Sequence, residues 1–262
     1  MTEELKTKLK YLAEKYENSS FLESDPSQFL RYYKNREDIE IAAFIAAMLS
    51  FGNRKLFIPK IREIFILADK SGGIYKWIKS KSFENDFVCA NGCDKTKFYR
   101  FYSYSDMKLL FSVFYAILEK SKTFGDFVKS AYEAEKQAQY DKKSAEYERI
   151  SLVFANAFAK CKIVPKGKTS ANKRINMFLR WMVRTNSPVD LGLWNWFSSA
   201  DLIIPLDTHV VQESEKLGLI PKNTSASLKT AKVITKQLKE IWPTDPCKGD
   251  FALFGLGVDE KR

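Results

Sequence analysis

Apolar residues recur along most of this chain with the spacing of helices. Leu5 to Tyr16 reads as a short amphipathic helix. Asp25-Pro26 opens the next segment, because the residue before a proline resists helix and proline suits a first helical turn. The run EDIEIAAFIAAMLSFG, Glu37 to Gly52, is almost wholly apolar. It is too long for a strand and too short to span a bilayer, so it predicts a buried helix that Gly52 can end. Asn53 to Ala68 continues as an amphipathic helix, and Ser71-Gly72-Gly73 marks a turn. Phe98 to Phe101 and Asp106 to Lys120 predict helices rich in aromatic residues. Tyr132 to Arg149 is polar nearly all round, which predicts an exposed helix or a flexible insertion.

In the second half, Pro165 to Ser170 forms a turn with Ser170 as the predicted N-cap of a helix from Ala171 to about Arg184. Ala171, Ile175, Phe178, Leu179 and Met182 share one face; Lys173, Asn176, Met177, Arg180 and Arg184 fall on the other. Leu191 to Phe197 predicts a short aromatic helix. In Ile203-Ile204-Pro205-Leu206-Asp207-Thr208-His209-Val210, the proline interrupts and Asp207 stands where a new helix can start. Thr224 to Trp242 predicts a helix bounded by Pro243, and Asp250 to Val258 the last element. Only 11 glycines and 8 prolines in 262 residues argue against an all-β fold with its many turns. The pattern predicts an all-α fold.

Charge changes the picture. The net charge is +11, which suits a nucleic-acid or anionic-membrane partner. No stretch approaches a membrane span, and the charged N-terminus is unlike a signal peptide, so a cytoplasmic location is expected. The asymmetry is local. Arg149 to Val189 holds no Asp or Glu, yet carries Arg149, Lys160, Lys162, Lys166, Lys168, Lys173, Arg174, Arg180 and Arg184. Such a run seeks an external polyanion, or else acids brought to it by the fold. About five neutralised phosphates would give a salt slope near −4 to −5. The one histidine, His209, excludes a histidine-rich metal site. Cys89 and Cys93 leave open a shared zinc site or, as usual in the cytoplasm, reduced thiols. No metal and no cofactor is expected.

The order of the C-terminal parts resembles the helix-hairpin-helix superfamily of DNA glycosylases, the relatives of endonuclease III. A turn and basic helix (Gly167 to Arg184) carries a lysine in its first turn, IPLDTHV supplies a loop aspartate, and FALFGLGV follows as a helix with small residues. MLSFGNRKLFIP is similar to the family's early helix pair. Lys173-Arg174-Ile175 and Ile204-Pro205-Leu206-Asp207 are most similar to archaeal 8-oxoguanine DNA glycosylases. The whole chain also resembles a bacterial family of unknown function with the signatures KRxNMFLRWMVR and PLDTHV. The hairpin departs from the pattern in having only Gly167 where a second glycine is usual, and no four-cysteine iron–sulfur loop follows the last helix.

The resemblance implies a two-lobed helix-hairpin-helix fold without the iron–sulfur loop, in one compact unit. Its N-terminal lobe spans roughly residues 37–150, with an insertion, and its hairpin, catalytic loop and C-terminal helices roughly residues 151–262. Damaged double-stranded DNA would lie in the cleft, bound by a monomer associated with the nucleoid. Lys173 and Asp207 are the implied catalytic pair, supported by Arg174 and His209. Asp207 would stabilise positive charge on the sugar, and Lys173 or water would attack it. A helix N-terminus and Arg174 favour a neutral amine at Lys173. Residue alternatives remain open: Lys173 as a phosphate contact, Asp207 as a helix cap or partner of Arg180, His209 as a backbone-bonding support. Met177, Arg180, Asp250 and Phe254 are implied for the base pocket, with Met177 and Phe254 equally suited to a core. Lys166, Gly167, Lys168 and Arg184 are expected to bind DNA, and Phe51 or Asn53 to fill the gap left by a flipped base. The rival functions are a non-catalytic nucleic-acid-binding protein of the same fold and a structural or interaction module with a basic face.

Overall fold

Local signals place the helix ends. Thr2 accepts from the Leu5 N–H and starts α1 (Glu3–Tyr16). The computed structural model describes residues 1–23, 25–138 and 145–259. These form two compact units, Met1–Ser24 with Lys166–Arg262, and Asp25–Pro165. Helices dominate both, as the apolar spacing predicts.

The unit Asp25–Pro165 opens with a 3₁₀ turn, Pro26–Arg31, capped by the Asp25 carboxylate at the Ser27 N–H. The apolar run forms α2 (Arg36–Leu49), buried over nearly its whole length. Of its two buried carboxylates, Glu40 accepts from Arg36 and from the Gly125 N–H. α3 (Arg54–Asp69) follows, capped by Asn53, then the short helices α4 (Ile74–Lys79) and α5 (Phe83–Asp86). α6 (Tyr104–Leu118) carries a full capping box between Ser103 and Asp106. α7 (Phe124–Ala138) packs on α8 (Glu146–Ala157), and the Tyr132 hydroxyl donates to Glu146. These helices take the two ends of the polar segment 132–149; residues 139–144 lie outside the described residues. Phe44 centres the core, with Phe114, Phe124, Phe154 and Phe158 around it.

One aromatic stretch departs from the helical prediction. Lys97–Tyr99 (β1) and Tyr102–Ser103 (β2) pair antiparallel, Lys97 opposite Ser103 and Tyr99 opposite Tyr102. Aromatic side chains suit a half-buried pleated surface as well as a helix face, and Arg100 turns the chain at φ 50°.

In the other unit α1 lies along the last helix. A Cβ on Gly255 would stand 2.1 Å from the Tyr16 ring, so the glycine permits this approach. α9 (Lys173–Val183), α10 (Thr208–Lys216), α11 (Leu228–Leu238) and α12 (Lys248–Asp259) complete it. α11 starts later than Thr224 because Ser227 provides its cap, accepting from Thr230.

Two expectations are corrected here. Ser170 is not the N-cap of α9; that place is held by Asn172, in the left-handed region at φ 46° and without a side-chain capping bond. Ser170 instead bridges to Ser227 and accepts from the Asn172 N–H. Leu191 to Phe197 is not a helix. Its N–H groups at Leu191 and Trp194 donate to the Trp181 and Met182 carbonyls, the orphan acceptors at the end of α9. A segment whose donors satisfy another helix cannot use them to build its own.

Candidate functional site

The first turn of α9 and the head of α10 bring two charges together. The Lys173 ammonium donates to the Asp207 carboxylate at 2.6 Å. The other Asp207 oxygen accepts from the Val210 N–H at 2.9 Å, so the same side chain caps α10. Both local readings of Asp207, cap and charge partner, are therefore fulfilled, with Lys173 as the partner in place of Arg180. Partial burial pushes the Asp207 carboxyl up, but Lys173, the Val210 N–H and the charge of His209 outweigh it, leaving it below the usual carboxylate range. Lys173 is in an ion pair, whereas its helix end and Arg174 alone favour a neutral amine. Attack by this amine requires that the proton it shares with Asp207 first leave.

The loop before α9 is held from the helix. Asn172 Nδ2 donates to the Gly167 carbonyl and Asn176 Nδ2 to the Ala171 carbonyl. The Oδ1 atoms of both asparagines are buried without a hydrogen-bond partner. These anchors were missed as functional candidates; their place one helical turn apart is the signal that could have found them. Gly167 and Lys168 are exposed on this loop and Lys166 is half-buried beside them. The segment sits between Ala157 at the end of α8 and Lys173. His209 is exposed in the first turn of α10, and Arg174 is half-buried beside Lys173.

The far end of α9 overturns part of the charge reading. Asn176, Met177, Arg180 and Arg184 are buried, so the face opposite the apolar one is also turned into the protein. Arg180 bonds to Asp250 and approaches Asp190 at 3.4 Å. Arg184 reaches Asp190, Asp245 and Glu17. The Phe251 ring lies 4.4 Å from the Arg180 guanidinium and 5.2 Å from that of Arg184. Arg184 is thus not a DNA-binding side chain. Much of the acid-free stretch is thus matched by acids from elsewhere in the chain, and Arg149 and Lys162 likewise pair with Glu146 and Asp106. Asp190, the first acid after that stretch, was legible as its counter-charge; Glu17 and Asp245 needed the fold.

Asp250 couples this network to the first turn of α9. Burial pushes its carboxyl up, Asp207 adds to that, and Arg180 and Lys173 oppose; the result is about 6. Arg180 and Asp250, both expected in a base pocket, are bonded to each other. Phe254 is half-buried and packs edge-on against Phe21 at 5.7 Å. Phe51 and Asn53 belong to the other unit: Asn53 is the exposed cap of α3, and Phe51 packs on Tyr99, Phe101 and Tyr102.

Among the described residues, no group of three His, Cys, Asp or Glu could hold a metal ion, and no helix is long and apolar enough to cross a membrane. Cys89 is buried and Cys93 exposed, both as free thiols. No curated protein and no solved structure matches the chain. A family model does, over residues 25–259, and the chain accordingly belongs to the family described as Protein of unknown function (DUF2400).

Proposed function

We propose that this chain is a DNA N-glycosylase of the helix-hairpin-helix type, in which Lys173 and Asp207 are the catalytic pair. The observation that carries this reading is their contact: an amine and a carboxylate 34 positions apart in sequence, at 2.6 Å, on the leading ends of two helices. The order of lysine helix, aspartate loop and small-residue helix, which resembles that superfamily, supports it.

Cleavage of the bond between the sugar C1′ and the base leaves positive charge on the sugar. An ionised Asp207 stabilises that charge, and its ion pair with Lys173 keeps it ionised. For Lys173 to attack C1′, its ammonium proton must first leave. The new C–N bond then forms as the glycosidic bond breaks, and the departing base takes the bonding electrons and a proton. Ring opening would yield a Schiff base, from which strand cleavage by elimination can follow. If water attacks instead, Lys173 orients Asp207.

A panel of lesion-bearing duplexes, incubated with the full chain and borohydride, tests this. A covalent adduct is expected that Lys173→Gln removes while duplex binding persists. Asp207→Asn should abolish excision and leave binding intact, since Asn caps helices about as well as Asp. Neither adduct nor excision on any lesion would withdraw the enzyme reading. The capping bond of Asp207 favours a second reading, a non-catalytic nucleic-acid-binding protein, because it gives the carboxylate a structural role without chemistry. Unchanged behaviour of Asp207→Asn in every assay would select it.

A further inference from the structure

The β1–β2 hairpin carries a feature that packing within its own unit does not use. Phe98, Tyr99 and Tyr102 are buried, but Phe101 at the turn is 57% exposed. Its ring is nonetheless held. Phe51 packs on it at 5.2 Å and Tyr102 meets it edge-on at 4.6 Å. The Tyr99 hydroxyl donates to the Phe51 carbonyl, tying the hairpin to the α2–α3 turn. Gly52 leaves room for the tip: a Cβ there would lie 2.2 Å from Arg100 Nη1. The Arg100 guanidinium lies 5.6 Å from the Phe51 ring. A flat apolar ring is therefore presented to solvent in a preset position, so little side-chain freedom remains to be lost on binding.

The exposed charged side chains of the hairpin and of the first turn of α3 are cations. Asp25, Glu63 and Asp94 are occupied by Arg54, Lys60 and Lys108. Arg100 at the tip, Lys97 on β1 and Lys55 in the first turn of α3 are exposed cations. An exposed aromatic ring set among cations is the surface that takes a nucleobase with its adjoining phosphates.

We propose that Phe101 is a stacking platform for an unpaired nucleobase, with Arg100, Lys97 and Lys55 contacting the flanking phosphates. This rests on the nucleic-acid reading above but not on Lys173 or Asp207, and it concerns the other unit. The test uses the full chain at low salt and a single-stranded oligonucleotide carrying 2-aminopurine, read by anisotropy and by quenching of the base. Phe101→Leu keeps an apolar side chain but removes the π-face, and Phe101→Tyr keeps the face. The expected result is about 5- to 100-fold weaker binding and loss of quenching in Phe101→Leu, with both retained in Phe101→Tyr. Lys97→Gln and Lys55→Gln should each lower the magnitude of the salt slope by about 0.7. Salt-steep binding with wild-type quenching in Phe101→Leu would overturn the platform and leave the nucleic-acid reading standing. No salt-dependent binding by the wild-type chain would overturn both. A change in sedimentation alone would mark a protein interface and overturn the platform.

Discussion

The two ends of α9 carry the same kind of side chain in opposite settings. At its start, Lys173 is one-third exposed and holds a single carboxylate, itself reached by solvent. At its end, Arg184 is almost wholly buried and holds three, while burial's tendency to strip its charge is outweighed by Asp245, Asp190 and Glu17. The difference teaches that a cation's sequence neighbourhood does not assign it to a ligand. A planar guanidinium satisfies several buried carboxylates at once, whereas a lysine at a helix start keeps one partner and a way to water. Stability should therefore reside in the end of α9 and chemistry in its start.

Breaking the buried end should have the largest effect. Arg184→Met leaves Glu17 without its counter-charge and Asp190 with Arg180 alone, and about 3–5 kcal/mol of unfolding free energy should be lost in a denaturant titration. A loss under about 1 kcal/mol would show that the network is dispensable and that the contrast between the two ends is false.

The carboxylates at the two ends should titrate with opposite sign. Asp250 is raised from 3.8 to about 6, so the folded state holds its proton more tightly than the unfolded chain. That contribution is fully present below pH 3.8 and lost as pH rises to about 6, a change of about 3 kcal/mol. Asp207 is lowered, so its contribution is present above the unfolded value and lost as pH falls through the folded one. Comparing the wild type with Asp250→Asn from pH 4 to 7, the wild type should lose stability relative to the variant as pH rises. Parallel stability curves would mean that Asp250 keeps an ordinary carboxylate titration.

At the chemical end the stability effects should be small. Asp207→Asn keeps the cap of α10 and gives up a partly buried ion pair that solvent still reaches, worth about 1 kcal/mol. Thermal denaturation should show this while excision is abolished. A collapse of the fold would move Asp207 to the structural side of the comparison.

The smallest stability change belongs to the loop before α9. Lys166→Glu with Lys168→Glu should alter stability by no more than about 0.5 kcal/mol, yet weaken binding to every DNA sequence alike. With Arg180 and Arg184 occupied inside the protein, about three phosphate contacts on this unit would give a slope of log affinity against log salt near −3. A slope near zero would remove the nucleic-acid reading.

Much of the fold was legible because its signals are local. The apolar run of α2, the segment start at Asp25-Pro26, and the aspartate at the head of α10 each act within one or two turns of their own position. The lysine and aspartate of the candidate site were legible as an ordered pair, though not as an ion pair. The hairpin at Lys97 to Ser103 was misread because aromatic residues fit both periodicities over so short a stretch. Leu191 to Phe197 was misread because its donors go to carbonyls of α9, which no local pattern records.

The sequence by itself determined a helical chain, an acid-free basic stretch, and a lysine and an aspartate each placed to start a helix. These follow from side-chain period, capping chemistry and charge. Only the tertiary structure decided which cations are spent internally, that Asp207 meets Lys173, and that Asp250 is buried beside Arg180. The reason is physical: a charge's partners and its desolvation depend on groups far away in sequence, Glu17 for Arg184 and Asp250 for Arg180, which folding alone brings together.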